Sequence, residues 1–428
     1  MEFTTIANER LGETVLYAKH PTGLDIFIAP KKGYASQYAI FGTRYGSIDN
    51  RFRVGEKEVT VPEGIAHFLE HKLFESEDGD AFSRYARTGA SANAYTSFDR
   101  TCYLFSSTER FKESLEILLD FVQKPYFTEQ TVQKEQGIIG QEIKMYEDDP
   151  GWRVMFNLLG ALYHKHPVKI DIAGTTESIS HITADLLYEC YHAFYNLHNM
   201  ALCVAGDVDP ALVAKLADKL LKEAPPSGVE SLFEEEPDGV VQPRVEQRLS
   251  VSVPLFNLGF KDRPTAGKEA AANEAVPSIL LEILSGSASP LYRKLYDEGL
   301  INTSFGTENF TGRSFGAVLF GGESRDPDAV ADAIFAEIDR LKQDGIDSAA
   351  FARAKKYTYG RLAAHFDHVD GVANAIAGLR FLGMGPFDLV EAVAQVTEDD
   401  VKNRLETVLR RENAALSVIL PVQGEQAS

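Results

Sequence analysis

The sequence predicts an α+β fold made of two homologous α+β units joined by a linker, and three observations lead there. Strand-like and helix-like segments alternate in the first half without the glycine-rich phosphate loop that opens a nucleotide-binding fold. A Pro-, Gly- and acid-rich stretch at 223–243, EAPPSGVESLFEEEPDGVVQP, interrupts that alternation and reads as an exposed linker. Beyond it the order of elements repeats. ESLEILLDFVQKPYFTEQTVQKEQGIIGQEI lays against DAVADAIFAEIDRLKQDGIDSAAFARAKKYTYGRL, and AFSRYARTGASANAYTSFDRTCYLF against PLYRKLYDEGLINTSFGTENFTGRS. The expected boundaries are an N-terminal domain over 1–222, the linker over 223–243 and a C-terminal domain over 244–428.

Residues 14–30 (TVLYAKHPTGLDIFIAP) read as two short strands around a Pro-Thr-Gly turn, and a further strand pattern covers 38–45. Pro62-Glu63-Gly64 precedes the helical stretch IAHFLEHKLFE, with Pro62 as its first-turn residue. Residues 94–105 are strand-like. From 111 to 123 the apolar residues fall at 111, 115, 118, 119 and 122, which is helical spacing. Thr128, with Gln130 and Thr131 behind it, opens another long helix.

Bulk composition narrows the function classes. With 428 residues, 44% hydrophobic and 25% charged, the chain is of ordinary globular make-up and long enough for two or three domains. A net charge of −20 argues against a nucleic-acid footprint; on a peptide-binding wall it favours basic peptides. No apolar run approaches the ~18 residues of a membrane span. The stretch MEFTTIANERLGETV has neither a basic n-region nor an apolar h-region, so no secretory signal is expected. Cys102, Cys190 and Cys203 are few and lack CxxC spacing, which suits reduced thiols in a cytoplasmic protein.

The chemistry centres on His67-Phe68-Leu69-Glu70-His71. On a helix, residues i and i+4 share a face, so His67 and His71 can present both imidazoles to one ion. Glu70 lies on the adjoining edge, placed to reach a metal-bound water without being a ligand. H-x-x-E-H is a documented zinc-peptidase pattern. A catalytic zinc keeps three protein ligands and an open water position, and a nearby carboxylate can take that water's proton. The bland alternative is a solvated helix face; Phe68, Leu69 and Leu73 argue for burial instead. For a third ligand the predicted helix around 135–147 offers Glu135 and Glu142, two turns apart on roughly one face, with Glu147 off that face. His164 and His166 are rival donors in a stretch that reads as loop, and His181, His192, His198, His365 and His368 have no partner at helical spacing.

These residues resemble the M16, or pitrilysin-type, metallopeptidases, which include insulin-degrading enzyme and the mitochondrial processing peptidase. HFLEH matches the signature of active members. The block ending at Glu142 resembles the family's downstream acidic cluster, which implies Glu142 as third zinc ligand and a supporting catalytic role for Glu135. Ser91-Ala-Asn93-Ala94-Tyr95-Thr96-Ser97 resembles the strand that pairs with substrate backbone. HPVKIDIAGTTESISHIT and NMALCVAGDVD resemble later blocks in the same order. By the same resemblance Phe74, Asn93, Ala94 and Trp152 would bind substrate, with simple packing the alternative for Trp152.

The resemblance further implies a peptide substrate, Zn2+ as cofactor, and a chamber formed by two such chains. In one place the sequence departs from it. Where active relatives place Arg and Tyr to orient the scissile carbonyl, Leu295-Tyr296-Asp297-Glu298-Gly299-Leu300-Ile301-Asn302 has Tyr296 and Asn302. The implied partner is then a homologous chain carrying Arg/Tyr without H-x-x-E-H, or a second copy in which Arg293 substitutes. The overall spelling is similar to the YmfH-like bacterial branch, which implies a link with modification of elongation factor P. A non-peptidolytic assembly subunit is the alternative function, and the intact pentad argues against it.

Overall fold

The computed structural model describes residues 1–77, 79–264 and 266–422. Strands β1 (Thr4–Asn8), β2 (Glu13–Lys19), β3 (Asp25–Pro30) and β4 (Gln37–Thr43) come first, with the predicted turn between β2 and β3. Short β5 (Arg51–Val54) and β6 (Lys57–Thr60) lead into helix α1 (Ile65–Leu73). Pro62 falls outside that helix. Gly64 starts it instead, at φ 86°, and a side chain there would run into the Ala173 carbonyl. A ribbon of β7 (Glu75–Ser76) and β8 (Gly79–Asp80) precedes α2 (Ala81–Ala86), which Asp80 caps through the Ser83 N–H at 2.7 Å.

The strand expected over 94–105 is a hairpin, β9 (Ser91–Thr96) and β10 (Thr101–Ser107), because residues 97–100 turn the chain. Helices α3 (Phe111–Phe121) and α4 (Glu129–Asp148) follow as predicted, and the Thr128 hydroxyl accepts the Thr131 N–H at 3.2 Å to start α4. The first half continues through α5 (Pro150–Leu162), α6 (Thr176–Ser180), α7 (Ala184–Phe194), β11 (Met200–Gly206), α8 (Pro210–Leu220) and β12 (Glu230–Ser231). The second runs β13 (Arg244–Leu249), β14 (Leu255–Asp262), α9 (Lys268–Ser285), α10 (Pro290–Asp297), β15 (Gly306–Thr311), β16 (Gly316–Glu323), α11 (Pro327–Asp344), α12 (Ser348–Ala364), α13 (Val369–Phe381), α14 (Asp388–Gln395), α15 (Glu398–Thr407) and β17 (Ala414–Pro421). Among the described residues no helix is long and apolar enough to cross a membrane.

The repeat read from the sequence is visible in the sheets. One sheet has the order β1-β2-β3-β11-β4-β10-β9, the other β13-β17-β14-β16-β15. The last five strands of the first match the second one for one. In each, the first pair is parallel (β3/β11 and β13/β17) and the other pairs are antiparallel. The first pair of laid-out segments corresponds to α3–α4 against α11–α12; the second runs α2-β9-β10 against α10-β15 and stops at Ser314, just before β16.

The domain boundaries need correction. One compact unit contains 1–143, 171–232 and 363–387; the other contains 144–170, 233–362 and the residues from 388 on. Each half of the chain thus lends a helix to the other's sheet. In the first unit α13 packs on β11, β4 and β3, burying Val372, Ala373, Ile376 and Ala377. In the second, α5 packs on β17, β14 and β13, burying Phe156, Leu158, Leu159 and Leu162. Strands as apolar as β4 and β11 are buried on both faces, and a cover is required there whatever its place in the sequence.

The linker is exposed over most of its length, with 223–226 a continuous exposed run, yet it is anchored at several points. Glu230 and Ser231 pair with β5 in the first unit. In the second, Phe233 stacks on His166 at 5.1 Å, and Glu236 accepts the backbone N–H groups of His164, Lys165 and His166 at 2.7, 2.7 and 2.8 Å. The buried Lys261 ammonium donates to Glu236 at 2.6 Å. Partial burial works to raise the Glu236 pKa, and Lys261 with the three N–H groups overcomes this and brings it down to about 2.

Candidate metal centre

The first unit sets His67 and His71 one turn apart on α1, ring centroids 4.6 Å from each other. Both turn Nε2 towards Glu142 of α4, at 3.7 Å from Oε1 and 3.6 Å from Oε2 respectively. Among the described residues this is the one group of three or more His, Cys, Asp and Glu side chains whose ligand atoms lie within 4.8 Å of one another. Separations of 3.6–3.7 Å are long for a hydrogen bond. They approach the edge of a tetrahedron, ~3.4 Å, whose corners lie ~2.1 Å from a central zinc. Two imidazoles and a carboxylate are donors that zinc accepts readily, so the residues fit such an ion.

Glu135 sits on the far ring nitrogen of His71, its Oε1 accepting from Nδ1 at 3.0 Å. That contact fixes the tautomer and leaves the Nε2 lone pair facing the ligand cluster. Through this contact Glu135 can hold the His71 ring in place. Glu70 takes the Thr96 hydroxyl on Oε2 at 2.8 Å. Thr96 Oγ1 lies 3.3 Å from Thr101 Oγ1, which itself donates to the Tyr45 carbonyl at 2.9 Å. The helix bearing the pentad is thereby tied to the edge strand β9.

Electrostatics differ sharply across one helical turn. Burial, helped by His71, pulls the His67 pKa down to about 4, which keeps its imidazole neutral and able to ligate. Burial also opposes charge on His71. The Glu135 hydrogen bond and the charges of Glu70, Glu142 and Glu135 outweigh it and lift His71 above its ordinary value. Burial likewise works to raise Glu135, and its hydrogen bond to His71 with the charges of His71, Lys72 and Lys134 brings it below the usual range. Glu70 is pushed above the usual carboxylate range by burial, against the pull of Thr96.

The remaining site residues fall in several places. Phe74 is buried, stacked at 4.3 Å beneath Phe82 and packed on Tyr103 and Phe121. The half-exposed ring in that stack is Phe82. Ala94 shares the face of β9 that carries Thr96, by the two-residue alternation of a strand. Asn93 belongs to the opposite face with Tyr95, whose hydroxyl reaches Asn374 of α13 at 3.4 Å. Trp152 lies in the second unit, stacked on Tyr146 at 4.5 Å and packed on Phe156. Glu147 is exposed, as expected. His166 bonds Ser314 and the Val168 N–H, and His164 uses its backbone on Glu236. Sequence reasoning did not single out Thr96 as a partner of Glu70; its place two residues beyond Ala94 was the available signal.

A buried helix carrying H-x-x-E-H and a glutamate from a second helix, on a duplicated α+β scaffold, form a donor set that could hold one metal ion. Residues 57–176 match the family model for insulinase (peptidase family M16), and 181–357 match that for the peptidase M16 inactive domain. YmfH of Bacillus subtilis (strain 168), an uncharacterized zinc protease, is 43% identical over 423 residues, covering 97% of this chain and 99% of its own length. YmxG of the same organism, also an uncharacterized zinc protease, is 28% identical over 70% of this chain and 73% of its own. The crystal structure of a candidate M16-like peptidase from Alicyclobacillus acidocaldarius has a TM-score of 0.92 at 35% identity, covering 98% of this chain and 99% of that one. The chain belongs to peptidase family M16.

Proposed function

We propose that this chain is a zinc-dependent endopeptidase acting on peptides or unfolded segments, and that it is the metal-bearing subunit of a two-chain enzyme. The observation that carries the first part is the convergence of His67 Nε2, His71 Nε2 and the Glu142 carboxylate beside a buried Glu70. Zinc in such a site lowers the pKa of a bound water towards ~7 and polarises a carbonyl. Glu135 keeps the His71 ring in register. Glu70, with Oε2 on Thr96, receives a proton from the attacking water at its other oxygen. It then delivers that proton to the departing amide nitrogen as the C–N bond breaks and the new C–O bond stands. Strand β9 ends its sheet, and an extended peptide laid along it pairs through backbone groups with little demand on sequence.

The second part rests on α10 and the loop after it. Tyr296 is half-exposed and stacks on Tyr292 at 5.9 Å, while the Asn302 amide donates to Glu323 at 2.7 Å. Neither offers a cation to a scissile carbonyl. A homologous partner with Arg and Tyr would supply it; exposed Arg293 is the local substitute in a homodimer. The three buried, unpaired cysteines fit the cytoplasmic setting we assign. The test is metal content with turnover. The protein should hold about one zinc per chain, and Glu70→Gln should keep it while losing hydrolysis by about 10²-fold or more. Full zinc in a His67→Ala, His71→Ala double variant overturns the assignment.

A further inference from the structure

The second unit repeats the surroundings of Glu70 with one change. Strands β9 and β10 are joined by residues 97–100, and β15 and β16 by residues 312–315, turns of equal length. Thr96 pairs with Thr101 as Thr311 pairs with Gly316, so Thr96 and Thr311 are equivalent. Thr311 Oγ1 donates to Glu274 Oε2 of α9 at 2.8 Å, the same bond that Thr96 makes to Glu70. The segment Ala271-Ala272-Asn273-Glu274-Ala275 therefore stands where the zinc pentad stands, with buried alanines for both histidines. Asn309, two residues before Thr311 and on its face, gives Nδ2 to the same Glu274 oxygen at 2.9 Å. The equivalent of Asn309 in the first unit is Ala94, which has no donor.

A carboxylate only accepts, and every side chain that donates to it competes with water. The second unit shows the closed version: threonine and asparagine both bind the glutamate, and a helix is tied to an edge strand with no ligands beside it. We propose that Thr96 and Ala94 together are positioning residues for Glu70, the hydroxyl pinning one carboxylate oxygen and the bare methyl leaving the group open to the attacking water. The inference rests on the function proposed for Glu70, but its geometry is present in the resting protein.

Ala94→Asn copies the second unit into the first. Zinc should stay at about one per chain, a crystal structure should show the introduced amide on Glu70, and turnover should fall about 10²-fold, the lower range of general-base catalysis. Thr96→Val should lower kcat about 10-fold at unchanged KM with zinc retained, and Thr96→Ser should restore it. Thr311→Val should leave turnover unchanged. Full turnover in Ala94→Asn with its amide bonded to Glu70, or equal behaviour of Thr96→Val and Thr96→Ser, overturns the proposal. Should Ala94→Asn lose zinc or misfold, the Thr96 pair decides. If the wild type hydrolyses nothing, the endopeptidase assignment fails by itself. Crystal structures of the Thr96 variants then still decide whether the hydroxyl holds Glu70: an unmoved carboxylate in Thr96→Val refutes it.

Discussion

Removing Glu135 should weaken zinc binding without touching a ligand. Its carboxylate is buried and bonded to His71 Nδ1 at 3.0 Å, while the His71 ring keeps about a quarter of its surface in water. A hydrogen bond to a charged group is worth about 1.5–3 kcal/mol net. Losing an outer partner of a metal-binding histidine costs about 10–100-fold in affinity, or about 1.4–2.7 kcal/mol. The two ranges overlap, so Glu135→Ala should raise the zinc Kd by about 10–100-fold. Partial exposure of the His71 side chain favours the lower end. Glu135→Gln keeps an acceptor but no charge and should cost about tenfold or less. The assay is competition against a chelator of known affinity, with circular dichroism to confirm folding. A Glu135→Ala protein that holds zinc as tightly as wild type refutes the reasoning, since the contact would then do nothing for the ligand.

Gly64→Ala forces a side chain into left-handed backbone, at about 1–2 kcal/mol, and onto the Ala173 carbonyl; Tm should fall by about 2–8 °C, and an unchanged Tm sinks this account of the helix start. Glu236 has a folded pKa of about 2, below its unfolded value near ~4.3, so its stabilisation is complete above that value and fades as pH falls towards 2. The stability gap between wild type and Glu236→Gln should therefore be flat from pH 5 to 7 and shrink below about 4 in denaturant titrations; a gap that widens on acidification contradicts it. This chain alone should cleave a mixed-peptide library about 10²-fold more slowly than when combined with a homologue carrying Arg/Tyr but no H-x-x-E-H, because an electrophilic donor is worth about that much. Equal turnover per zinc alone and in the mixture rules the two-chain arrangement out.

What could be read from the letters was whatever is local in the chain. His67 and His71 share a face because of the helical repeat, and the alternation of β9 is a property of six residues. The duplication was legible because order of elements survives when identity does not. Contacts between distant segments were not legible. That Glu135 meets His71, that Thr96 meets Glu70 and that Phe82 covers Phe74 each depends on how elements pack, and no spacing encodes it. The linker is largely solvated as its composition suggests, but the backbone N–H groups and buried lysine gathered around Glu236 could not be read from it. The domain boundaries erred because helix α5 is as amphipathic as any other, and its sequence does not state which sheet it covers.

That exchange of helices bears on how the protein is made. Strand β3 enters the nascent chain with Asp25, yet the arginine that pairs with it, Arg380, follows 355 residues later. Until α13 emerges from the ribosome, β4 and β11 must wait with one apolar face bare, a state that invites aggregation and chaperone capture. Scission in the exposed 223–226 segment would leave two fragments, each holding a helix the other needs. Neither fragment is then a self-sufficient folding unit, and recovery of the native state from such pieces becomes a second-order reaction, its rate set by their concentration.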